Sequence, residues 1–139
     1  MINYLIASLL FVLSFSAYSQ HQEIIGTWKG EDHGQLGQFI FDKEGFVYLT
    51  LDNETVGGPS YEFQGVKASA TYKLDPSHSP IWIDFVLTFE SDGSEIDWMS
   101  GIVDFSDDFT EMQISLDLEG KGRPESFIKD ESILLQKVD

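Results

Sequence analysis

From Ile81 to Phe89 the chain alternates without a break: Ile81, Ile83, Phe85, Leu87 and Phe89 have one parity, and Trp82, Asp84, Val86 and Thr88 have the other. A repeat of two belongs to a β-strand, whose side chains point to opposite faces in turn, whereas a helical stripe repeats at about 3.6 residues. The same parity recurs in Val47, Leu49 and Leu51, in Ala68, Ala70, Tyr72 and Leu74, in Met112, Ile114, Leu116 and Leu118, and in Ile133 and Leu135. No stretch beyond residue 19 shows a convincing amphipathic helix. Such a chain is all-β.

Turn chemistry separates these runs. Asp42-Lys43-Glu44-Gly45 and Ser91-Asp92-Gly93-Ser94 suit tight hairpins with Gly at a positive φ. Gly57-Gly58-Pro59-Ser60, Asp75-Pro76 to Pro80, Asp107-Asp108 and Glu119-Gly120-Lys121-Gly122 mark further turns. About eight strands follow, near Ile24–Glu31, Gly37–Asp42, Phe46–Leu51, Glu62–Leu74, Ile81–Glu90, Glu95–Phe105, Glu111–Leu118 and Ser132–Val138. Short strands at even spacing, joined by hairpins without long crossovers, predict an up-and-down antiparallel barrel. A barrel of that size either holds one small ligand or fills with its own side chains.

The first residues, MINYLIASLLFVLSFSAYSQ, set the expected compartment. Tyr4 to Phe15 is an apolar core too short for a comfortable membrane span, and Ala17 and Ser19 occupy the small-residue positions of a cleavage site before Gln20. Residues 1–19 are therefore expected to be a secretory signal peptide and residues 20–139 one barrel domain, exported to the periplasm or beyond, with no stable membrane span after cleavage. The leader departs from the usual pattern in having no Lys or Arg. The 139-residue chain has 24 acidic and 8 basic residues, a net charge of −16, which repels phosphate backbones and argues against nucleic acid as a partner. There is no cysteine, so disulfides, thiolate nucleophiles and Cys-ligated zinc are excluded.

Several stretches look familiar in their order. Gly26-Thr27-Trp28-Lys29 resembles the G-x-W signature of lipocalins and their calycin relatives. Tyr72 to Pro76, then Pro80-Ile81-Trp82-Ile83-Asp84, then Gly101-Ile102 ahead of Asp107-Asp108, then Arg123-Pro124-Glu125-Ser126-Phe127 resemble a family of small secreted bacterial lipocalin-like domains. The chain departs from that pattern at Val103, where the family has Tyr, and at Lys137, where calycins place an Arg across the signature Trp. The resemblance implies a lipocalin-like barrel and export, with ligand binding by analogy.

Little in the chain points to chemistry. His21, His33 and His78 lie in a predicted tail or loops, no serine is spaced to a base, and the many acidic pairs single out none. A copper contact at the start of the mature chain and calcium at Asp104, Asp107, Asp108 and Glu111 are conceivable, but neither spacing is a known ligand pattern. No catalytic residue, metal site or cofactor is expected. The aromatic residues say more: Trp28, Phe39, Phe41, Tyr72 and Phe85, with Leu116, are candidates for the wall of an apolar cavity, or for a solid core.

The interior face is expected to hold Trp28, Phe39, Phe41, Val47, Leu49, Tyr72, Ile83, Phe85, Leu87, Ile114, Leu116 and Leu135. Parity then sends Asp84 to the outer wall, either solvated or clamped to Arg123, the only arginine. Lys137 is the candidate for covering Trp28. The leading functional expectation is non-catalytic binding of a small apolar or amphipathic molecule. The alternative is a structural or protein-interaction module with a solid core and an acidic surface.

Overall fold

A computed structural model describes residues 19–32, 35–51 and 53–138; of the expected leader, only Ser19 falls among them. A 3-10 turn, Ser19–Ile24, precedes ten strands. These are β1 Gly26–Asp32, β2 Gln35–Phe41, β3 Val47–Leu51, β4 Glu54–Gly57, β5 Tyr61–Phe63, β6 Val66–Asp75, β7 Ile81–Phe89, β8 Glu95–Phe105, β9 Glu111–Leu116 and β10 Ile133–Lys137. Every ladder is antiparallel, and the order β4-β3-β2-β1-β10-β9-β8-β7-β6-β5 is a meander in which β10 returns to pair with β1. The sheet curls into a nearly closed all-β barrel.

The expected strands are present, with one division and one addition. The run expected from Glu62 to Leu74 is a hairpin, β5 and β6, turning at Gln64 (φ 52°) and Gly65 (φ 81°). Two successive positive-φ residues make the turn whose twist matches a two-residue hairpin. The added strand, β4, folds back on β3 around Asn53 (φ 65°).

These two strands give the barrel its shape. At one end β3 and β6 meet directly: Phe46 bridges Thr71, and Tyr72 N donates to Gly45 O at 3.1 Å. Towards the other end β4 pairs only with β3 and β5 only with β6. The chain between them turns at Gly58, whose N donates to Val47 O and whose O accepts from Ala70 N, both at 2.8 Å. Eight of the ten strands therefore form the narrow end, and all ten reach the wide one. Barrel diameter grows with strand number, so the wall flares. Gly57 (φ 98°) and Gly58 (φ 85°) make the vertex possible, because a Cβ on the first would lie 2.4 Å from Val47 O and on the second 2.4 Å from the Tyr48 ring.

The apolar parity faces inward. Trp28, Phe39, Phe41, Val47, Leu49, Ile83, Phe85, Leu87, Ile114 and Leu135 are buried in one core, while Tyr72 and Leu116 are half-buried at its margins. Burial of each large side chain is worth about 1.5–3 kcal/mol relative to exposure. Outside the barrel the segment 117–132, which has no ladder, lies across β7, β8 and β9; Val86, Ile102 and Ser115 on that outer face are buried.

Candidate functional site

The narrow end is shut by side chains. Trp28 Nε1 donates to Ile24 O at 2.8 Å, which ties the 3-10 turn beneath the barrel. Lys137 Nζ lies 5.6 Å from the centroid of the Trp28 ring and 3.5 Å from Glu23 O. Lysine thus stands over the indole. Phe105 packs on Trp28 with centroids 6.0 Å apart.

Above this floor the rings pack on one another. Phe39, Phe41 and Phe85 form a triangle with centroid separations of 6.2, 6.4 and 6.1 Å. Tyr72 meets Phe41 edge-on at 5.0 Å, and its hydroxyl donates to Asp42 O at 2.9 Å. Burial, together with the negative charge of Asp42, pushes the Tyr72 phenol up to about 12. Trp28, Phe39, Phe41 and Phe85 are at most 1% exposed. A ring bordering an empty, water-sized space would show surface to it, so these four are filled core and not free wall. Two clefts near this end are open to the outside: one of about 270 Å³ between Glu23, Leu74, Ile81, Phe105 and Phe109, and one of about 610 Å³ between Ile25, Lys43, Tyr72 and Lys73. Of the six expected wall residues only Tyr72 lines either.

The wide end is different. By parity Tyr61, Phe63 and Phe89 point inward, since they oppose Ala68, Val66 and Ala68 in the ladders of β6. Trp98 joins them through a bulge: Phe85 pairs with Met99 and Val86 with Asp97, which leaves Trp98 without a partner. An extra residue on one strand bends it and re-aims a side chain. The ring centroids are 5.6 Å apart for Tyr61–Trp98, 6.5 Å for Tyr61–Phe63 and 6.5 Å for Phe63–Phe89. All four rings are half-buried. Val66 and Ile96, also on the inner parity, are 43% and 39% exposed at the rim. Leu116 ends β9 at this same side, half-buried.

These four rings are not among the six wall residues expected from the sequence. Phe63 falls in the run Glu62 to Leu74, which reads as a single strand, and the bulge breaks the alternation of β8 at Trp98-Met99. The break itself was the available signal.

On the outer wall Arg123 joins Asp84. Its Nη2 donates to Asp84 Oδ1 at 2.7 Å, and Nη1 donates to Gly101 O at 2.8 Å and Ile83 O at 3.1 Å. The guanidinium carbon lies 4.3 Å from the Trp82 ring centroid, and the His78 ring stacks on Trp82 at 3.4 Å and 2°. One planar cation thus binds a carboxylate, two strand carbonyls and an indole face, which uses the fork geometry that lysine lacks. The segment is held further on either side: Asp117 accepts from Gly122 N and Lys121 N, bonds that hold its carboxyl below the usual range, and Ser115 Oγ donates to Glu131 O at 3.1 Å. This arrangement is a fastening.

In the 104–111 turn, Asp108 Oδ1 accepts from Ser106 Oγ, Thr110 Oγ1 and Thr110 N, which keeps its carboxyl below the ordinary range. Among the described residues no three His, Asp or Glu side chains converge as metal ligands would. His33 lies outside the described residues, as does the side chain of His21. No family model matches this chain, and neither a curated protein nor a solved structure matches it.

Proposed function

We propose that the chain is an exported, lipocalin-like barrel that binds a small apolar or amphipathic molecule, without transforming it, at its wide mouth. One observation carries this reading: the wall flares from eight to ten strands, and at the flared end four inward-facing rings, Tyr61, Phe63, Phe89 and Trp98, are left half-buried. Concave, mostly apolar sites with few polar groups are where small ligands bind. Half-covered rings also retain apolar surface whose removal from water is worth about 25 cal/mol per Å².

The test is titration with a neutral naphthylamine dye. Saturable enhancement of its emission, with quenching of tryptophan, is expected, and Trp98→Ala should weaken it at least about tenfold. A flat response to this dye and to a broad apolar library removes the reading. The second reading, a structural or protein-interaction module, draws on the filled narrow half and the net charge of −16; it expects that flat response. Export is tested separately, by whether the mass of the secreted chain corresponds to a start at Gln20.

A further inference from the structure

The charge around the mouth is one-sided. Glu54 lies two residues before Val56 on β4, on the same parity, and Val56 packs against the core. Glu54 is therefore on the inner face of the rim, and it is exposed. Across the mouth, Glu90 and Asp92 in the β7–β8 turn and Glu95 and Asp97 at the start of β8 are exposed; Glu95 and Asp97 oppose Thr88 and Val86, so they stand on the outer side of the rim.

Of the 8 basic residues Lys67 stands at this rim, its O accepting from Glu90 N at 3.0 Å, and the others lie elsewhere. Lys43 and Lys137 are at the narrow end. Lys29, Lys67 and Lys73 have outer parity: they follow or precede the inward Trp28, Ala68 and Tyr72, and Lys67 opposes Glu62. Lys121, Arg123 and Lys129 belong to the outer segment, where Lys121 pairs with Glu119 at 2.7 Å and Arg123 with Asp84. A polar group leaving the aromatic mouth therefore meets Glu54 on the inner face, and beyond it an outer rim where Lys67 is outnumbered by Glu62, Glu90, Glu95 and Asp97.

We infer that the mouth selects amphipathic cations: an apolar tail among Tyr61, Phe63, Phe89 and Trp98, with an ammonium group at the rim beside Glu54 and the carboxylates of the β7–β8 turn. The inference rests on the mouth being the binding site. Two effects favour that head group. Aromatic faces attract cations, most strongly the indole. A low-dielectric cup rimmed by one sign of charge focuses its field on the opening and repels anions.

The experiment uses three probes with one tail: octyltrimethylammonium, 1-octanol and octanoate, each titrated below its aggregation limit at about pH 8, where histidine is neutral. Tryptophan emission and calorimetry report binding. The cation is expected to bind about tenfold or more tighter than octanoate, with the gap shrinking in roughly 0.5 M salt. Glu54→Gln/Glu95→Gln should narrow the gap to about threefold or less, whereas Glu44→Gln/Asp107→Asn, which removes the same charge near the narrow end, should leave it. Both pairs are exposed, and equal melting temperatures check that they fold. Octanol binding with no preference between the ions overturns the selectivity and leaves the mouth standing. Equal narrowing by both double variants overturns it too, since net charge alone would then be acting. If none of the three probes saturates, the mouth itself is not a site, and both readings fall.

Discussion

Around Phe85 the phenylalanines are fully covered and only Tyr72, at the margin, is half-buried, while around Trp98, at the far end of the same barrel, every ring keeps part of its surface in water. Both clusters are aromatic, inward-facing and similar in spacing, with centroids about 5–6.5 Å apart. They differ in wall geometry. Where eight strands close the barrel, three phenylalanines and a tyrosine fill its section. Where β4 and β5 are added, comparable rings are left half-buried. Composition alone does not separate a filled end from an open one; the circumference around it does.

The sharpest way to break that contrast is a pair of truncations. Phe85→Ala should cost about 3–5 kcal/mol in urea unfolding, because the surrounding rings cannot collapse onto the space. Trp98→Ala should cost less, about 1–2 kcal/mol, since part of its surface is already hydrated, yet should weaken dye binding. Equal costs would mean that the two ends are not different in kind.

Next in size is the outer fastening. Arg123→Ala removes the guanidinium from a half-covered carboxylate, two carbonyls and an indole, and should cost about 2 kcal/mol. Asp84→Asn keeps the other contacts and should cost about 1 kcal/mol, because the pair is partly screened by water. Dye affinity should be unchanged in both. A loss of binding would show that the outer segment shapes the mouth.

The flare is tested by Gly58→Ala, which forces a Cβ against the Tyr48 ring at a φ of 85°. A cost of about 1–2 kcal/mol is expected, with a larger proportional loss of dye binding than of stability. The smallest effect lies at alkaline pH and at the narrow end. The fold raises the Tyr72 phenol to about 12, above the value near 10 of the unfolded chain, so it favours the protonated form. Stability from this source is complete below about pH 10 and is lost as pH rises towards 12. In Tyr72→Phe that particular decline should be missing from the alkaline unfolding curve.

Much of this was legible in the chain, and the limits have physical causes. Parity is local, so the inward face of Ile81 to Phe89 and the outward place of Asp84 could be read directly. The narrow-end core followed from the same parity. The mouth did not, because it depends on two departures from regularity: the Gln64-Gly65 turn, weaker in signal than Asn-Gly, and the unpaired Trp98 of the bulge. The 117–132 segment carries no period at all, and its path is set by contacts such as Arg123 to Gly101 O that join residues distant in sequence. Whether rings fill a barrel or line it is a question of diameter, which alternation does not encode.

A tailor widens a sleeve at one end by setting a gusset into the seam, and residues 54–63 are the gusset here. Their vertex is stitched at Gly58 to β3 on one side and to β6 on the other, and both arms run only outward from it. The size of the opening is thereby held in one short stretch of chain, apart from the rings that hold the barrel together. Lengthening or trimming that stretch resizes the opening while the body of the garment keeps its cut.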